Sequence, residues 1–131
     1  MRRLHLIVSI LTLMAFVITG QIMRLHAPPL HDLTADLRLL YRSRHIYILA
    51  SGLVNLILGL YFQRNRPGWP TVVQTIGSML VLVAPVLLIV AFATEPGRGF
   101  SADLHWGAAG VQVLFAGCVL HGAARAGARY K

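Results

Sequence analysis

Four apolar runs, at residues 4–23, 46–62, 71–93 and 106–124, contain no Asp, Glu, Lys or Arg. As helices rising about 1.5 Å per residue, each is long enough to cross most or all of a hydrocarbon core about 30 Å thick. Inside that core every backbone amide must be paired within the protein, which leaves helices or closed barrels. Barrel strands alternate apolar and polar residues, whereas these runs are continuous, so the spacing predicts helices. Composition agrees: 56% of the 131 residues are hydrophobic and 12% are charged, a balance that would coat a soluble fold in apolar surface. The expected fold is all-α, an integral membrane four-helix bundle in a single membrane domain, 1–131.

The first run follows Met1-Arg2-Arg3 and has the outline of a secretory signal peptide. It outlasts the usual apolar stretch of such a peptide, and a cut near Gly20 would lack a small residue at Ile18, so it reads as a span. With the N-terminus in the cytoplasm, the inner side carries Arg2, Arg3, Arg64, Arg66, Arg125, Arg129 and Lys131 and no acid. The outer side carries Arg24, Arg38, Arg42, Arg44 and Arg98 against Asp32, Asp36, Glu95 and Asp103. That asymmetry puts both termini inside. The preference for Arg over Lys points to a bacterial plasma (inner) membrane. A net charge of +8 is explained by basic residues flanking spans beside anionic headgroups, with no basic stripe of the kind that binds nucleic acid. Cys118 is the only cysteine and lies mid-span, so no intrachain disulfide forms.

Two connections carry turn chemistry, Arg64-Asn65-Arg66-Pro67-Gly68-Trp69-Pro70 inside and Glu95-Pro96-Gly97-Arg98-Gly99 outside. They imply two antiparallel transmembrane hairpins. The remaining connection, 24–45, is longer. Leu30, Leu33, Leu37, Leu40 and Tyr41 recur there at helical spacing, which predicts a short amphipathic interfacial helix within 30–44, between spans one and two, lying on the outer surface; with no Pro or Gly between Asp32 and His45, it has a route straight into span two.

Polar and small residues fall on one face of each span: His5, Ser9, Thr12 and Thr19; His45, Gly52, Asn55 and Gly59; Gln74, Gly77 and Ser78; Gly110, Gly117 and His121. Such faces point inward, with Gly52, Asn55, Gly59, Gly110 and Gly117 as helix-packing positions. Pro85 marks a kink. Ala50-Ser51-Gly52 with Gly59 echoes Ala108-Ala109-Gly110 with Gly117, a trace of hairpin duplication that would let spans two and four approach along their glycines.

Six histidines are the chemical signal. His5 and His121 at the inner ends of spans one and four form an expected axial pair for haem b, as in membrane electron-transfer proteins. His26, His31, Asp32, His45 and His105, with Glu95 and Asp103, are an alternative outer metal set, although their spacing matches no tight ligand motif. Arg42 and Arg44 before span two suit a lipid phosphate or other anion, with Asp32 and Asp36 as counter-charges. Asn55, mid-span, suits an interhelical hydrogen bond.

No Asp, Glu, Lys or Arg lies within a span, and no phosphate loop, nucleophile elbow or zinc-protease helix is present. These features point to a non-enzymatic accessory or assembly subunit that packs with itself or a larger membrane complex. The alternatives are a haem or metal electron-transfer protein and a small dimeric carrier.

Overall fold

In a computed structural model of the chain, residues 1–26, 28–63, 68–98 and 105–129 are described. The described residues are helical, without strands. The helices are α1 (Arg2–Arg24), α2 (Ala35–Tyr61), α3 (Trp69–Thr94) and α4 (His105–Arg129), with 3-10 turns at Leu30–Asp32 and Pro96–Arg98. All four α-helices are long and apolar enough to cross a membrane.

The helices bury polar residues and expose apolar ones. On α1 the buried residues are His5, Ser9, Thr12 and Thr19, the same four that share one face by spacing. Leu4, Ile7, Ile10, Leu11, Met14, Val17, Ile18 and Ile22 on the remaining surface are each about half exposed. Inward groups elsewhere include Arg44, Ser51, Asn55, Gln74, Ser78, Glu95 and His121. An apolar cluster of Ile48, Leu88 and Phe92 packs beside this polar interior.

The helix predicted within 30–44 runs straight into span two rather than standing as a separate element. Thr34 precedes the first turn of α2, and residues 35–44 form the opening third of that 27-residue helix. No Pro or Gly interrupts the backbone between residues 35 and 45, so nothing stops the hydrogen-bond ladder from running into the apolar run. Leu40 and Arg44 turn into the bundle while Arg42 stays exposed.

α1 packs chiefly on α2 and α3 chiefly on α4, and α2 meets α3 to join the pairs. The glycines explain the pairing, and they correct the expected approach of spans two and four, which touch little. A methyl group added at Gly59 would come 2.6 Å from the Leu6 side chain of α1, and one at Gly52 would come 3.3 Å from Thr12 and Leu13. At Gly110 it would meet Leu88 of α3 at 2.7 Å. Gly77 and Gly117 face each other backbone to backbone, each leaving a substituent only 2.8 Å from the other's carbonyl oxygen. The glycines of α2 therefore serve α1 and those of α4 serve α3. The repeated motif occupies equivalent places in the two pairs.

Candidate functional site

α3 continues as one helix from Trp69 to Thr94 through Pro85. Pro85 has no amide hydrogen, so the carbonyl one turn earlier, at Val81, loses its in-helix donor. Asn55 on α2 supplies the substitute: its Nδ2 donates to Val81 O at 3.1 Å and to Ser51 O at 2.9 Å. Two carbonyl partners identify that atom as the amide nitrogen, which makes Oδ1 an acceptor. Oδ1 lies 2.8 Å from His5 Nδ1 on α1. The proton of that bond must then sit on Nδ1, so His5 is held as the tautomer whose Nε2 carries a bare lone pair. His5 is 0% exposed, and its Nε2 has no partner.

His121 on α4 repeats half of this arrangement. Its Nδ1 lies 3.1 Å from Ser78 Oγ on α3, and its Nε2 is also buried without a partner. Both imidazoles lean on one phenyl ring, with Phe62 centred 6.0 Å from His5 and 5.6 Å from His121. The inner pair expected from sequence is thus brought to one neighbourhood. Arg2 donates through Nε to Gly59 O at 3.1 Å, and Arg125 donates to Gln63 Oε1 at 2.8 Å, giving this end a cationic rim.

A second polar centre lies at the other end of the bundle. Arg44 of α2, buried, is ion-paired through Nε with Glu95 Oε2 at the end of α3. Glu95 Oε1 accepts the backbone N–H of Gly107 at 2.8 Å, in the first turn of α4. A carboxylate suits that position because the opening amides of a helix lack in-helix acceptors and carry partial positive charge. One side chain thus ties α2, α3 and α4. Arg44, expected at a lipid phosphate with Asp32 and Asp36 as counter-charges, is instead paired with Glu95, 51 residues away. The signal available in the sequence is the excess of Arg24, Arg38, Arg42 and Arg44 over Asp32 and Asp36 within residues 24–45.

The expected outer metal set is dispersed. His26 sits on the surface between Pro28 O, 2.7 Å from its Nδ1, and the Tyr41 hydroxyl, 3.1 Å from its Nε2. His31 and Asp32 are exposed, with His31 Nε2 3.2 Å from Asp32 Oδ1. His45 is stacked on Phe16 at 4.1 Å, and its Nδ1 meets Thr19 Oγ at 2.9 Å. His105 opens α4, and Asp103 lies outside the described residues. Among the described residues, no three His, Cys, Asp or Glu side chains gather closely enough to hold a metal ion.

No protein-family model matches the chain, and neither a curated protein nor a solved structure shows significant similarity to it.

Proposed function

We propose that the chain is a multi-pass membrane protein of two antiparallel hairpins, with both termini cytoplasmic in a bacterial inner membrane. In this reading it acts as a non-enzymatic packing or assembly subunit, alone in copies or within a larger complex. The observation that carries the membrane placement is the inverted polarity of α1, whose buried residues are all polar while its exposed face is aliphatic. Water would penalise such a surface, whereas lipid selects it. The packing role is supported by how the inward polar groups are used. His5, Asn55, Thr19, Arg44 and Ser78 each bond to a group on another helix. In a bilayer, where apolar contact with lipid competes with apolar contact between helices, such bonds and close glycine contacts drive association.

Two experiments test this reading. After alkaline carbonate washing the protein stays in the membrane pellet. In a Cys118→Ser background, an impermeant maleimide labels Gly97→Cys in intact cells but reaches Arg3→Cys only after permeabilisation. Extraction by carbonate would sink the membrane placement, and labelling of Arg3→Cys in intact cells would reverse the topology. Cross-linking in native membranes that traps monomer alone would overturn the assembly role.

A further inference from the structure

Among the described residues, three buried side-chain atoms lack any hydrogen-bond partner: His5 Nε2, Ser9 Oγ and His121 Nε2. Two of them are imidazole nitrogens whose rings share the Phe62 phenyl as a neighbour. Leaving a polar atom buried and unpaired is costly, so a pair in one neighbourhood points to a shared ligand. The geometry points to His5 and His121 as the two protein ligands of one buried monovalent copper ion.

Three observations support that assignment. The Asn55 contact holds His5 as the Nδ1–H tautomer, so Nε2 presents a lone pair inward. This is the arrangement by which a partner on the far ring nitrogen orients a metal-binding histidine. Donor count comes next: with no third His, Cys, Asp or Glu nearby among the described residues, zinc would lack half of its usual tetrahedral shell. Imidazole is a suitable donor for copper, and the monovalent ion accepts two ligands in line. Charge selects the same ion. The protein's acids are Asp32, Asp36, Glu95 and Asp103, none near this end in sequence, and Arg2 and Arg125 rim it. Because the cost of burying an ion grows as the square of its charge, a dication between neutral ligands would pay roughly four times as much as a monocation. The inference leans on the membrane reading only for the low dielectric around the site. Titration in detergent separates failure of copper binding from failure of membrane retention.

The purified full chain is titrated anaerobically with monovalent copper against a chromophoric copper chelator, with zinc and haemin in parallel arms. One copper per chain is expected. His5→Gln and His121→Gln should abolish it, Asn55→Ala should weaken it by about 10- to 100-fold as loss of an orienting partner does, and Gly122→Ala should leave it unchanged. X-ray absorption at the copper edge of the unaltered protein should show two nitrogen scatterers with imidazole character, a result that does not depend on any variant folding. Sulfur scattering from Cys118, zinc bound as tightly as copper, or haemin uptake with a Soret band would each overturn the assignment. Absence of stoichiometric copper would leave the orphan nitrogens to a buried water and equally overturn it.

Discussion

Asn55 and Pro85 are coupled through an atom that belongs to neither, the Val81 carbonyl, and a double-mutant cycle can read that coupling. Asn55→Leu removes the bond to Val81 O and leaves both that oxygen and the His5 Nδ1–H without partners. Interhelical hydrogen bonds in bilayers are worth about 0.6–2 kcal/mol each, so losing two should destabilise the bundle by roughly 1–4 kcal/mol. Pro85→Ala restores an amide hydrogen one turn from Val81 O. In the unaltered protein that new donor competes with Asn55 Nδ2. In the Asn55→Leu background it repairs an orphan carbonyl. Pro85→Ala should therefore be more favourable in the Asn55→Leu background than in the parent by about 0.6–2 kcal/mol. The assay is reversible unfolding in mixed detergent micelles, followed by helical circular dichroism for the four chains of the cycle. If the two substitutions add to within about 0.5 kcal/mol, the shared-carbonyl account is wrong.

At the other polar centre, Glu95→Gln leaves the buried Arg44 guanidinium without its counter-charge and should lower stability by about 3–5 kcal/mol in the same assay. Replacing both residues together, Arg44→Leu with Glu95→Leu, should cost less than the sum of the single leucine changes, and strict additivity would count against a direct pair. Gly117→Leu places a side chain where a methyl carbon alone would sit 2.8 Å from the Gly77 carbonyl oxygen. It should force α3 and α4 apart, seen as loss of a monodisperse peak in size-exclusion chromatography. Gly122→Ala, with open space around the added carbon, should elute and unfold like the parent. His31→Ala, at an exposed position, should change the unfolding free energy by no more than about 0.5 kcal/mol, and a larger loss would show that its surface contact with Asp32 matters more than exposure implies.

Several of these features were legible locally. The buried face of α1 follows from the spacing of His5, Ser9, Thr12 and Thr19, because residues three, four and seven apart share one side of a helix wherever that helix lies. Gly52, Gly59, Gly110 and Gly117 could be recognised as contact positions for a similar reason, but not the helices they contact. Spans two and four looked like partners because they share a motif, yet each turned its glycines to the preceding helix. The 35–44 segment was legible as amphipathic and helical, and the absence of a Pro or Gly breaker already pointed to its continuity with α2.

By itself, the sequence determined the number of apolar helices and their inward faces, since charge exclusion and helical period are properties of consecutive residues. Tertiary structure alone decided who answers whom: Glu95 for Arg44, Asn55 for the carbonyl that Pro85 leaves free, and Phe62 for both His5 and His121. Those partners are distant in the chain, and a polar group in an apolar interior takes whichever complementary atom the packing delivers. Side-chain type states the need for a partner, but only the arrangement of helices supplies one, and that arrangement leaves the two imidazole nitrogens unmet.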